Sequence, residues 1–122
     1  MLETLKKKQI SYGVMHCFSE SKETAKQCLD LGLHFSFGGT CTFKNASRAV
    51  ENLKYIPKER ILLETDSPYL SPVPNRGKRN DSSNLIHIAE FIGMLWNMSP
   101  QEVASITTQN AERLFNLDKL SI

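Results

Sequence analysis

Asp66 ends the run Ile61-Leu62-Leu63-Glu64-Thr65-Asp66, and His16 ends the run Tyr12-Gly13-Val14-Met15-His16. In both, a short apolar segment delivers a chemically versatile side chain to its C-terminal tip. A carboxylate and a neutral imidazole on one rim suit a divalent cation, and such a cation activates water for hydrolysis. Each residue also has a plainer reading. His16 fits a half-buried histidine hydrogen-bonded at a strand end, and Asp66 fits an Asx-type cap of the Ser67-Pro68 turn. An acidic group directly after three aliphatic residues must nonetheless be paired, hydrogen-bonded or metal-bound to be tolerated beside a core. Glu64 lies two residues before Asp66 and so points to the same side if the strand continues. It either supports Asp66 from behind or pairs with a lysine or arginine. The loop Pro72 to Asn80 joins stiff prolines, a permissive glycine and the cations Arg76, Lys78 and Arg79. That composition suits a phosphate held beside a metal, or a solvated loop.

Three apolar runs of strand length, Tyr12 to His16, Leu33 to Phe37 and Ile61 to Glu64, alternate with longer segments of helical period. The alternation is that of βαβ units in a parallel sheet. Between the first two runs Ala25, Cys28 and Leu29 share a helix face, with Ser21 as N-cap and Gly32 where a left-handed terminator is wanted. Between the second and third, Ala46, Ala49, Val50 and Leu53 form a stripe that stops before Pro57. In parallel units all strands run one way, so His16, the Gly38-Gly39-Thr40 turn and Asp66 are expected on one rim. The glycine pair offers backbone N–H groups to an anion, or simply permits a tight turn.

The last third reads as helices. Leu85, Ile88, Ala89, Ile92 and Trp96 form one stripe after Ser82-Ser83, and Ser99-Pro100-Gln101-Glu102 is a capping box with proline at the first helical position. The expectation is a short helix through Val103 and Ile106. A separate final helix follows, capped by Thr108, with Ala111, Leu114 and Phe115 facing inward. His34 is expected to be packed or hydrogen-bonded within its strand, and His87 to lie near solvent.

With 122 residues, 40% apolar and 23% charged, the chain is expected to form a single globular domain with one core. A net charge of +2 does not by itself argue for nucleic acid, and Lys6, Lys7 and Lys8 read as a solvated helix face. No apolar run reaches the roughly 20 residues of a membrane span, and the N-terminus lacks the order of a signal peptide. No membrane partner is expected, and the expected location is cytoplasmic. Cys17, Cys28 and Cys41 match neither a disulfide framework nor a CxxC zinc site and are expected to be buried free thiols. The GxSxG, P-loop and GxGxxG signatures do not occur, which removes support for serine acyl transfer and for those modes of nucleotide binding.

The segments Gly13-Val14-Met15-His16-Cys17-Phe18-Ser19, Phe35 to Thr40, Ile61 to Leu70, Pro72 to Asn80 and Thr108 to Phe115 together resemble the TatD-type deoxyribonucleases. The resemblance implies an α/β fold, the C-terminal half of a TIM-type (β/α)₈ barrel of the metal-dependent hydrolase kind, with C-terminal helices. It further implies phosphodiester cleavage in DNA by a metal-activated water, with magnesium, zinc or manganese as the divalent ion. His16 and Asp66 correspond to metal-site residues, and Asp66 also to the group that orients or deprotonates the water. Arg76, Arg79 and Asn80 fall in a loop beside the substrate phosphate. Glu20 stands where that family usually has glycine, and Asp81-Ser82 replaces its common Glu-Pro.

The family's His-x-His pair, its middle-strand glutamate and a further strand-end histidine have no counterpart, so the chain reads as beginning inside a barrel helix, within Met1 to Lys8. Three or four strands cannot close an eight-stranded barrel, and their outer edges stay open. Little or no turnover is therefore expected of this chain alone. Two other readings follow: an inactive half-barrel that assembles with itself or with a separate N-terminal half, and a phosphate or nucleic-acid binding module without catalysis.

Overall fold

The structure is a computed structural model and describes residues 2–9 and 12–116. Three strands form one parallel sheet in chain order: β1 (Val14–Met15), β2 (His34–Phe37) and β3 (Ile61–Leu63). The register aligns Val14 with His34 and Met15 with Phe35, then Phe35, Ser36 and Phe37 with Ile61, Leu62 and Leu63. All three C-terminal tips therefore open on one rim.

Helix α1 (Leu2–Lys7) precedes β1, with Lys6 and Lys7 exposed at its end, while Met1 lies outside the described residues. Helix α2 (Lys22–Asp30) begins where Ser21 Oγ accepts from the Thr24 amide, and beyond it Gly32 takes a left-handed φ of 83°. Helix α3 (Ser47–Tyr55) buries Ala49, Asn52 and Leu53. Its buried Asn52 donates to the Glu20 carbonyl at 2.7 Å and so ties α3 to the loop after β1. These two crossovers pack on the same side of the sheet, where Phe18 meets Phe35 and Phe37 edge-on at 4.8 and 6.4 Å.

Helix α4 (Leu85–Trp96) buries Ile88, Ala89, Ile92 and Gly93, and Trp96 donates its indole N–H to the Leu53 carbonyl of α3. Ahead of α4, the Ser82–Asn84 turn is capped by the Asp81 carboxylate rather than by a serine hydroxyl.

The two short helices expected after Ser99 are one, α5 (Pro100–Phe115). Its buried side is Val103, Thr107, Asn110 and Leu114, an unbroken helical stripe in which two members are polar. Thr107 returns its hydroxyl to the Val103 carbonyl, and the Asn110 amide donates to the carbonyls of Lys58 and Ile61 at the start of β3. Those bonds let polar residues occupy a core face, so Thr108 caps nothing and is exposed. Phe115, expected to face inward, is also exposed.

The outer edges of β1 and β3 have no strand partner among the described residues. Beside β3, the side chains of Leu62, Leu63, Ile86, Ala89, Ala104 and Phe115 line an apolar cavity of about 510 Å³ that opens between α4 and α5.

Candidate metal centre

His16, one residue beyond β1, and Glu64 and Asp66, one and three beyond β3, place one ligand-type atom each within 4.8 Å of one another. The imidazole lies between the two acids. Its Nε2 is 3.0 Å from Asp66 Oδ1, and its Nδ1 contacts Glu64 Oε2. Exposure grades across the cluster: the side chains of Glu64, Asp66 and His16 are 11%, 29% and 63% accessible. Glu64 thus forms the floor and His16 the outer wall.

Local backbone explains the convergence. The Glu64 amide continues the β3 ladder by donating to the Phe37 carbonyl at 3.1 Å, so its side chain projects toward the interior. There Oε2 accepts from the Cys17 amide at 3.1 Å and from the Ser36 hydroxyl, while Oε1 is buried with no hydrogen-bond partner among the described residues. Gly38 leaves room for this carboxylate, since a Cβ there would lie 3.2 Å from Glu64 Cγ. Cys17 and Asp66, which adjoin and belong to the cluster, both hold left-handed φ, 50° and 55°. Such conformations cost non-glycine residues free energy and recur at functional sites.

The turn cap that Asp66 was a candidate to supply comes from its neighbour instead. Thr65 Oγ1 accepts from the Ser67 amide at 3.2 Å, which leaves the Asp66 carboxylate facing His16. The Ser67–Pro68 and Val73–Pro74 bonds are cis.

Cys28 and Cys41 are buried free thiols, as the sequence suggests, but Cys17 is only partly buried and borders the cluster. Burial, then the Glu64 and Asp66 carboxylates, push the Cys17 thiol up to about 11, and burial pushes Cys41 to about 12.

The basic loop divides into two kinds of residue. Arg76 and Arg79 are exposed. The Arg76 guanidinium lies over the Phe43 ring, 3.7 Å from its centroid. Arg79 adds to the hydrogen bonds from Ser83 that hold Asp81 below the usual carboxylate value. Asn80, expected at the phosphate, is turned inward and only 2% exposed. Its amide donates to the carbonyls of Thr65 and Tyr69 at 2.6 and 2.7 Å, and its oxygen accepts from Asn84 at 2.9 Å. With its polar atoms so engaged, Asn80 braces the strand tip that bears Asp66 and has no group left for a substrate.

His16 and Asp66 therefore meet, and Glu64 joins them, as a side chain buried among Ser36, Cys17 and Gly38 rather than paired with a lysine or arginine. The two-residue spacing to Asp66 pointed toward this, and so did Ser36, a hydroxyl set between Phe35 and Phe37 in a buried strand. His34 is half-buried, and its Nδ1 has no hydrogen-bond partner among the described residues. Burial, with Arg60 and Arg113 nearby, lowers its pKa. His87 is part-exposed, 3.9 Å from Glu90.

The donor set fits a divalent cation. Two carboxylates and an imidazole suit ions from magnesium to zinc, and the unpartnered Glu64 Oε1 is an acceptor that a cation would satisfy. Three protein ligands leave the remaining positions of a four- to six-coordinate ion to water, substrate or other groups.

Known proteins share this arrangement of chain. The family model described as TatD related DNase matches residues 1–116. The Bacillus subtilis (strain 168) protein named uncharacterized metal-dependent hydrolase YabD is 50% identical over 106 residues, covering 87% of this chain and 42% of that protein. The Escherichia coli (strain K12) protein named uncharacterized metal-dependent hydrolase YcfH is 47% identical over 106 residues, covering 87% of this chain and 40% of that protein. Among solved structures, the TatD homolog YJJV of Escherichia coli K12 superimposes with a TM-score of 0.85 at 28% identity, covering 94% of this chain and 45% of that one. The chain spans less than half the length of these relatives. No helix among the described residues is long and apolar enough to cross a membrane.

Proposed function

The chain belongs to the TatD related DNase family, and on that premise we propose that it supplies His16, Glu64 and Asp66 to the metal centre of a hydrolase that cleaves phosphodiester bonds in DNA. The observation that carries the reading is the convergence of these three side chains, from two separate strand ends, within 4.8 Å. When bound, a divalent ion supplies a Lewis acid that acidifies water and offsets charge on the phosphodiester. Glu64, the least accessible of the three, anchors the site through its bonds to Ser36 and the Cys17 amide. Asp66, more accessible and opposite His16, orients the attacking water and accepts its proton. Arg76 and Arg79 bring positive charge to the substrate phosphate. Asn80 acts through Thr65, by holding the tip in place.

Ion titration calorimetry of the purified chain with Mn²⁺ tests the ligand set. Binding should occur in the native chain and be lost or sharply weakened in His16→Ala, Glu64→Gln and Asp66→Asn. Equal binding in all four proteins would remove the proposed centre. The chain alone is expected to show little or no turnover, because three strands leave the barrel unclosed and the rest of the rim unbuilt among the described residues. Co-expression with an N-terminal half-barrel should yield chelator-sensitive cleavage of single-stranded DNA that Asp66→Ala abolishes.

A second reading is favoured by the open edges of β1 and β3 and by the apolar cavity against β3. In it the chain acts as an assembling half-barrel, covering those surfaces with a second copy or a complementary half. Sedimentation velocity that returns only monomer at every concentration, with and without such a half, would eliminate it.

A further inference from the structure

A second cavity, of about 440 Å³, opens beyond the β2 and β3 tips, and its walls are Phe43, Pro68, Tyr69, Leu70, Arg76 and Lys78. We infer that it is a subsite for an unpaired nucleobase next to the scissile phosphodiester, with Tyr69 and the Arg76–Phe43 stack as the surfaces on which the base lies. The inference rests on the phosphodiester reading above for the identity of the polymer.

Three observations lead to it. The first is composition: an aromatic side chain left 73% exposed, an exposed leucine beside it and two cations at the edge form an apolar surface with a positive border. Stacking platforms for single strands combine these chemistries, because every base has a π face and every link a negative charge. The second is the posture of Arg76. Its guanidinium carbon lies 3.7 Å from the Phe43 ring centroid while the residue as a whole is exposed, and guanidinium planes are themselves surfaces on which other planar groups stack.

The third is rigidity. The Tyr69 amide donates to the Asp66 carbonyl at 2.9 Å, and the Tyr69 carbonyl accepts from buried Asn80. The Ser71 hydroxyl donates to the Lys78 carbonyl at 2.8 Å, closing the loop on itself. Gly39 receives the Leu70 carbonyl so closely that a Cβ there would sit 2.2 Å from it. The backbone of the platform is thus pinned to the strand tip that carries Asp66, three residues away, which reduces the ordering that binding must supply.

The test is fluorescence anisotropy of the chain with a short labelled oligothymidylate and with an abasic oligomer carrying the same number of phosphates, in chelator. The base-bearing strand should bind roughly tenfold more tightly, the fold-change equivalent of stacking one base. Tyr69→Ala should abolish that preference without altering affinity for the abasic strand, and Tyr69→Phe should keep it. Tyr69 is exposed, so unchanged melting of both variants is expected and controls for folding. Equal affinity for the two strands, or no binding of either, overturns the base subsite. The chelator separates this outcome from the metal centre: Mn²⁺ binding can survive a failed base preference, and a base preference can survive lost Mn²⁺ binding.

Discussion

Replacing Asn80 by alanine separates a residue that touches substrate from one that holds the site together. Its side chain serves three partners: the carbonyls of Thr65 and Tyr69 and the amide of Asn84. Alanine leaves one buried donor and two part-buried acceptors without their partner, and a fully buried orphan costs about 1–3 kcal/mol. Carbonyls retain a second lone pair and the loop can relax, which places the total near the low end, at about 3 kcal/mol. Against the usual 5–15 kcal/mol of a folded domain, that is a large fraction. It corresponds to a fall of roughly 1.5 M in the urea midpoint at a mid-range slope. Trp96, hydrogen-bonded to Leu53 across the α3–α4 contact, provides the fluorescence signal.

Asn80→Asp is nearly isosteric yet should destabilise at least as much, because it turns a carboxylate oxygen toward two carbonyls. Arg79→Ala, at an exposed neighbour, should stay within about 0.5 kcal/mol of the native chain. Mn²⁺ affinity should fall in Asn80→Ala, since the lost bond to Thr65 frees the residue before Asp66. If Asn80→Ala matches Arg79→Ala in urea while losing oligonucleotide binding, Asn80 contacts the phosphate and does not brace the tip.

Gly39→Ala sets a Cβ 2.2 Å from the Leu70 carbonyl oxygen and 2.8 Å from Pro72 N, both backbone atoms, so the loop must move. A cost of about 2–3 kcal/mol is expected, against about 1 kcal/mol for Gly77→Ala, where space is open and only the left-handed φ of 89° resists. A melting temperature for Gly39→Ala equal to or above that of Gly77→Ala would contradict this ranking. His34 is held below its ordinary value of 6.5 by burial, with Arg60 and Arg113 adding to it. The unfolded chain therefore takes up a proton on acidification before the folded one does. Stability should be fullest above 6.5 and fall as pH drops through and below it, levelling once the folded histidine is also protonated. Thermal melts between about pH 7.5 and about pH 5 should show a smaller loss in His34→Gln than in the native chain, and equal losses would exclude His34 as a cause.

Local chemistry and periodicity made the three strands, their parallel sense, the Ser21 and Ser99 caps and the common rim of His16 and Asp66 legible from residues alone. Those features depend on neighbours within a few positions or on the directionality of βα units, and the amino-acid order determines both. What it left open depended on partners distant in the chain. Thr107 and Asn110 interrupt the apolar stripe of α5 in writing, and only the carbonyls of Lys58 and Ile61, some fifty residues earlier, make Asn110 a core residue. Asn80 reads as one more polar member of a basic loop until Thr65 and Tyr69 are seen to take its amide. Glu64 reads as a support for Asp66 or a partner for a cation, and becomes a ligand candidate because Ser36, Cys17 and Gly38, from two other segments, build its pocket. Residue types and spacing decided which groups reach the rim. The fold decided which are free to act there, because a polar side chain is available for chemistry only when no buried backbone group already claims it.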